Sequence, residues 1–346
     1  MSCTIVCGGQ YGDEGKGKIA AYLTIKDDIR FAVRAGVGPN ACHTFIVCNE
    51  ETGLLEKCFT FHIPSGLINK ETKLFISAGT LINPGILIHE VKRLKIEDRL
   101  YIDKNCGIIT CEHVKGEEKS EHLRETIKTI GSGCGIANSE RAMRKIENFA
   151  DFLKGEGSKT VLKSMECDVS EEVHKALDEN IDVIVEGTQG FGLSLYYGDY
   201  PYVTSKDTSA SAIAADVGLG PKDVDEVICI FKVYPTRVSK GFLNDELNVD
   251  DVSKLNLIEY SGLSTNIKRV GNWDSKLARR AIMVNNPTQI ALTLNGPYSS
   301  PGVRNFEALS PTVKKLVENL QEELKVPITL ISTSPRIEDT IDLREL

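Results

Sequence analysis

Short apolar runs set between polar stretches recur along the whole chain. Thr4–Cys7, Leu74–Ile76, Val183–Val185, Val227–Val233, Ile290–Leu294 and Ile328–Ile331 are each too short for a buried helix and predict buried strands. Between several of them apolar positions recur at helical spacing, over Ile19–Leu23, Ser209–Val217, Ser275–Met283 and Pro311–Leu324. Such alternation predicts an α/β fold: a large, mostly parallel central sheet with helices on both faces. No internal repeat or Pro/Gly/Ser-rich linker divides the sequence, so residues 1–346 read as one domain. No apolar run reaches 18 residues and nothing resembles a signal peptide, so a cytoplasmic protein without a membrane partner is expected.

Composition changes this picture little. The formal net charge of −8 excludes a global basic field for a nucleic-acid polymer, so any nucleotide must be held by local groups. Ten cysteines are scattered without a C-x-x-C pair, which predicts reduced core residues and no zinc site.

The candidate chemistry starts in the first strand–helix junction. Gly8-Gly-Gln-Tyr-Gly-Asp-Glu-Gly-Lys-Gly-Lys18 is a glycine-rich phosphate-binding loop that presents N–H groups at a helix N-terminus, where the dipole favours phosphate. Lys16 and Lys18 add positive charge, and Asp13 adds a carboxylate able to accept a proton or hold a metal. Gly12–Lys18 fits G-x-x-x-x-G-K, but Ile19 stands where Ser or Thr would reach magnesium, so an ordinary nucleotide loop is a poor match. Ligands of parallel sheets gather at the carboxyl ends of strands, and Gly8–Lys18, Glu186–Gly190 and Pro235–Val238 each follow a predicted strand.

The full Gly8–Lys18 string resembles the N-terminal signature of the adenylosuccinate synthetases. Further matches follow in order: Gly36-Val-Gly-Pro-Asn40-Ala-Cys-His43-Thr44, Gly131-Ser-Gly-Cys-Gly135 with Arg144, and Glu186-Gly-Thr-Gln189-Gly190. After them come Tyr200-Pro-Tyr-Val-Thr204-Ser-Lys-Asp207, Pro235-Thr-Arg237-Val238 and Lys268-Arg269-Val-Gly271. The chain is most similar to the short, archaeal-type members. The resemblance implies a ligase that joins L-aspartate to C6 of a purine 5′-monophosphate through a 6-phosphoryl intermediate, with Mg2+ and a nucleoside triphosphate. It implies Asp13 as the base at N1 and a metal ligand, with the Cys42 carbonyl as a second ligand. His43 would donate to O6 and the transferring phosphoryl group, and Lys16 would compensate its charge. Asn40, Thr129, Ile130, Arg144, Gln189, Thr204 and Val238 would surround the monophosphate, with Arg144 coming from the second subunit of a homodimer. Gly12, Glu14, Gly15, Gly17, Lys18, His43, Thr44, Asn295, Gly296, Ser334 and Pro335 would hold the triphosphate. Ser264, Thr265, Asn266, Lys268 and Arg269 would hold aspartate.

Three segments depart from the family pattern. The Lys-x-Asp that reads guanine in the GTP donor is Leu294-Asn295-Gly296 here, which leaves Asn295 as the candidate substitute. A buried guanine edge without an acceptor costs about 1–3 kcal/mol. The Thr-Gly-Arg-x-Arg-Arg loop is Ser264-Thr265-Asn266-Ile267-Lys268-Arg269, and a Gly-Thr-Thr-Gly turn is Lys128-Thr129-Ile130-Gly131. These departures resemble the bacteriophage 2-aminoadenylosuccinate synthetase branch, which implies dGMP as acceptor and ATP as donor. Retention of Asp13, which some members of that branch replace with serine, counts the other way. An ordinary enzyme using IMP and GTP is the alternative, and a non-catalytic nucleotide-binding relative is the reading from another class.

Overall fold

The computed structural model describes residues 2–48, 52–260 and 267–344. Its centre is a sheet of ten strands: β1 (Cys3–Gly8), β2 (Phe31–Arg34), β3 (Lys73–Ile76), β4 (Leu100–Asp103), β5 (Glu166–Cys167), β6 (Val183–Glu186), β7 (Glu226–Lys232), β8 (Gln289–Thr293), β9 (Ile328–Ser332) and β10 (Thr340–Asp342). Their spatial order is β10-β9-β8-β7-β1-β6-β2-β3-β4-β5. All neighbours pair in parallel except β9 and β10, which are antiparallel. All six predicted strands are members, each within a residue or two of its expected ends. β2, β4, β5 and β10 were not visible as apolar runs. They are at most four residues long, and β2 and β4 close on the charged residues Arg34 and Asp103.

Alternation along each strand divides the core between the two faces. Cys3, Ile5 and Cys7 of β1 face a layer containing the helices Ala210–Val217, Ser275–Asn285 and Pro311–Leu324. Val6, with Ile184 and Ile228 from the flanking strands, faces the helix α1 (Lys16–Lys26) through Ile19, Ala20 and Leu23. The fold is therefore α/β with helices on both faces, as the pattern predicts.

α1 begins three residues earlier than the apolar spacing indicates. Gly15 takes the capping position at φ 94°, a left-handed conformation that glycine adopts without a Cβ penalty. Register places the ends of β1, β6 and β7 side by side, with Val6 opposite both Glu186 and Ile228. The loops that leave β1, β2, β6, β7, β8 and β9 consequently open at one edge of the sheet. A small antiparallel hairpin, His43–Cys48 with Leu55–Thr60, rises from the loop after β2 and pairs His43 with Thr60.

Candidate functional site

The phosphate-binding turn is organised from inside by Glu14. This side chain, 1% exposed, accepts the N–H groups of Gln10 (3.0 Å) and Gly12 (2.8 Å) on Oε1 and the Lys16 ammonium (2.8 Å) on Oε2. Lys16 also donates to the Gly12 carbonyl at 3.0 Å. The Glu14 side chain is thus committed to the turn itself, and the Lys16 ammonium expected at the transferring group is bonded inward rather than free in the cleft. A carboxylate buried beneath a tight turn is stabilised only by the turn's own donors and a paired cation, and it takes them all.

A cavity of about 480 Å³ lies over this turn, large enough for a nucleotide. Asp13, Cys42 and His43 line it together with Asn40, Thr129, Ile130, Gln189, Thr204, Val238 and Lys268. The acid–imidazole pair and the monophosphate residues thus converge on one space, from loops up to 225 residues apart (Asp13 to Val238). Gln189 donates to Asn40 (3.0 Å), and Asn40 in turn faces the Thr204 hydroxyl at 3.5 Å. Ile130 and Val238 present half-exposed apolar surface to the cavity. The Asp13 carboxylate accepts from the Thr236 hydroxyl at 3.1 Å and is ion-paired with Lys268. Burial works to raise its pKa, but the ammonium groups of Lys268 and Lys232 outweigh it and hold the group at about 2. A carboxylate with a main-chain carbonyl, such as that of Cys42 in the same cavity lining, would suit a hard cation such as Mg2+, which takes few protein ligands and keeps waters and phosphates.

Behind His43 lies a buried ionic cluster. Its Nδ1 meets both Glu186 and Arg34, and Arg34 donates to Glu186 Oε1 at 3.1 Å and to the Phe61 carbonyl at 3.0 Å. Ser65 completes the acid's shell through its hydroxyl (2.8 Å) and its N–H (2.5 Å). Burial, then the Arg34 charge, lowers the His43 pKa to about 4 despite Glu186, so the imidazole is neutral at pH 7 in the free cavity. Burial opposes ionisation of Glu186, but His43 and Arg34 prevail and bring it from 4.5 to about 2. The unfolded chain takes up this proton near pH 4.5 and the native chain only near pH 2. The stability contributed by the ionised Glu186 is therefore complete above pH 4.5 and is lost as the pH falls towards 2. Urea midpoints measured at descending pH are expected to drop through this window, and more shallowly in Glu186→Gln. Equal slopes in the two proteins would contradict the assignment.

The expected triphosphate residues form a second edge beside the turn, outside the cavity lining apart from Gly12 and His43. Gly17 lies directly under the imidazole: a Cβ there would come within 2.7 Å of the His43 Cβ. The Lys18 ammonium donates to Ser332 Oγ and to the carbonyls of Ser334 and Asp339, each at 2.7 Å. It ties the loop after β9 to α1 instead of pointing at phosphate, because its helix position turns it beneath β9. Ser334 is also engaged, donating to Asp339 at 2.7 Å, while Pro335 is exposed. Asn295 is corrected as a base reader. Its amide accepts from the Tyr234 N–H (2.9 Å) and donates to the Tyr234 carbonyl (3.0 Å), so it clamps one loop to another. Leu294 is buried in the core, and Gly296 sits at φ 55°. Thr44 is exposed beside Cys42.

Of the aspartate residues, Ser264, Thr265 and Asn266 lie outside the described residues. Lys268 reaches the cavity, but Arg269 does not: it pairs with Glu246 and donates to the carbonyls of Ser239 and Gly241, both at 3.0 Å. Neighbouring side chains of the short strand Arg269–Val270 and its approach point to opposite sides, so Lys268 and Arg269 cannot both face the cavity. Arg144 is exposed, at φ 59°, and does not line this chain's own cavity. Arg141 nearby donates to the carbonyls of Ala78, Gly79 and Asn105. Arg34, Ser65 and Thr236 were missed. Glu186 was quoted as part of a motif but given no role, although an acid ending a fully apolar strand was a usable signal.

The family model for adenylosuccinate synthetase matches residues 5–163 and 154–299. The adenylosuccinate synthetase of Archaeoglobus fulgidus is 44% identical over 347 residues, covering 100% of this chain and 99% of that protein. That of Methanocaldococcus jannaschii is 46% identical over 349 residues, covering 99% and 97%. Among solved structures, fully ligated adenylosuccinate synthetase from Plasmodium falciparum superposes with TM-score 0.88 at 23% identity, covering 98% of this chain and 99% of that one. The cyanophage S-2L succinoaminodeoxyadenylate synthetase (PurZ), bound to dGMP and dATP, gives 0.79 at 22% identity, with coverage of 99% and 95%. At those identities the two structures speak for the fold alone. The near relatives are ordinary adenylosuccinate synthetases, so the lean towards the phage branch is not supported.

Proposed function

This chain belongs to the adenylosuccinate synthetase family and is a nucleoside-triphosphate-dependent C–N ligase, and we propose that its substrates are IMP, L-aspartate and GTP. The observation that carries the reading is the convergence of Asp13 and His43 on one nucleotide-sized cavity above the phosphate turn. Asp13 takes the N1 proton of the purine, and O6 attacks the γ-phosphorus of the triphosphate, releasing the diphosphate. The aspartate amine then adds at C6 and orthophosphate leaves with the former O6. His43 Nε2 meets the charge that develops on O6 and the transferring phosphoryl group.

Asp13 and the Cys42 carbonyl would hold Mg2+, which neutralises phosphate charge when bound. Lys268, paired with Asp13 in the free cavity, is placed to turn towards the carboxylates of the incoming amino acid. Losing that cation raises the basicity of Asp13 when a base is needed. Asn40 and Thr204 face the 5′-phosphate, Gln189 the base, and Arg144 from a second copy completes the pocket in a homodimer. The whole chain acts as one catalytic unit.

The test is turnover of IMP labelled with oxygen-18 at O6, with GTP and aspartate. Label is expected in the released orthophosphate. Parallel reactions cross IMP and dGMP with GTP and ATP. Robust turnover of dGMP with ATP, and none of IMP, would overturn the substrate assignment. Orthophosphate without label would overturn the mechanism.

A further inference from the structure

We infer that Glu186 is a positioning residue that fixes the His43 imidazole at the cavity wall, with Arg34 and Ser65 as the frame that keeps the acid in place. His43 lines the cavity and is 5% exposed, yet its Nε2 is buried without a hydrogen-bond partner among the described residues. An unpaired buried nitrogen is unfavourable, so something must hold the ring against rotating that atom towards a partner. The other ring nitrogen supplies the hold. Nδ1 lies against Glu186 Oε1 and Arg34 Nη1 together, so it has a partner whether it carries the proton or not. Glu186 cannot swing away, because Ser65 donates to both of its oxygens and Arg34 to one. Gly17 closes the remaining side, leaving 2.7 Å to the His43 Cβ and 2.9 Å to Ser65 Oγ for any Cβ placed there. The ring is thus held on three sides at the cavity wall. The two charged partners come from strand ends: Arg34 closes β2 and Glu186 closes β6, paired directly in register.

The inference rests on the reading of His43 as the donor to the transferring group. Its test separates the two. The ring nitrogens of histidine-labelled protein are first read by 15N NMR without substrate. Glu186→Gln is expected to shift the Nδ1 resonance of His43, assigned by its loss in His43→Ala, and an unmoved resonance would overturn the proposal whatever the activity. Kinetics then follow on the full enzyme: Glu186→Gln is expected to lower kcat by about 100-fold with KM for the monophosphate within about threefold. Combined with His43→Ala, it should lower kcat no further, since a group acting through the imidazole has nothing left to position. Additive losses would assign Glu186 a purely structural role. Arg34→Met with Glu186→Gln keeps the cluster neutral, and is expected to reproduce the kcat loss if the single variant folds poorly. An active wild type with an unmoved resonance sinks this inference alone, and an inactive wild type with a shifted one sinks the ligase reading alone.

Discussion

Asp13→Asn is expected to lower kcat by about a thousandfold or more, with little change in melting temperature. The residue is the one carboxylate of the phosphate turn that faces the cavity, since Glu14 is committed to Gln10, Gly12 and Lys16. Asparagine matches its shape and can still accept from Thr236, so the turn should survive. What disappears is the lone acceptor for the N1 proton and the charge that would hold a cation beside the transferring phosphoryl group. General-base losses alone run to about 10²–10⁴ in rate, and loss of the metal contact adds to them. Because Lys268 and Lys232 keep the wild-type carboxyl ionised down to about pH 2, the wild-type rate should show no limb from this group between pH 5 and 8 in the free enzyme. Orthophosphate release under saturating substrates measures the effect. A variant within tenfold of wild type would remove Asp13 from the chemistry.

Glu14→Ala should have the largest effect on stability. Truncation leaves the buried Gln10 N–H and the part-buried Gly12 N–H without an acceptor and the Lys16 ammonium, 2% exposed, without its counter-ion. Breaking a buried pair by removing one partner costs about 3–5 kcal/mol, largely because the surviving charge stays buried. That is a large share of a native stability of about 5–15 kcal/mol. Glu14→Gln keeps an acceptor for the two N–H groups and should lose less. The turn that shapes the anion site goes with the pair, so nucleotide affinity should fall in parallel. Denaturant midpoints and nucleotide titration of the same samples check this; an unchanged midpoint would show that Lys16 finds another partner at no cost.

These two predictions concern adjacent residues that the motif treats alike, and only one of them faces the substrate. The same division runs through the rest of the site. The two lysines of the turn were expected to meet phosphate, and both are bonded inward, Lys16 to Glu14 and Lys18 to the loop after β9. Asn295 had the chemistry to read a base, and spends it on the Tyr234 main chain. Lys268 and Arg269 carry the same charge and point to opposite sides of a strand.

What the sequence determined by itself was therefore what short-range patterning encodes. Apolar runs marked the six strands that carry most of the site, helical spacing marked the layers over them, and glycine spacing placed the turn after β1. Ordered motifs from Gly8 to Gly271 carried the family, because each must supply particular side chains at a strand end. Tertiary structure alone decided which polar groups remain free. Glu186 reaches His43 across 143 residues, and Lys18 reaches Ser334 across 316. Burial strips a polar group of water and obliges it to take whatever partner the fold brings near. A one-dimensional pattern lists the groups, and only the packed chain shows which of them have been used up in holding the others.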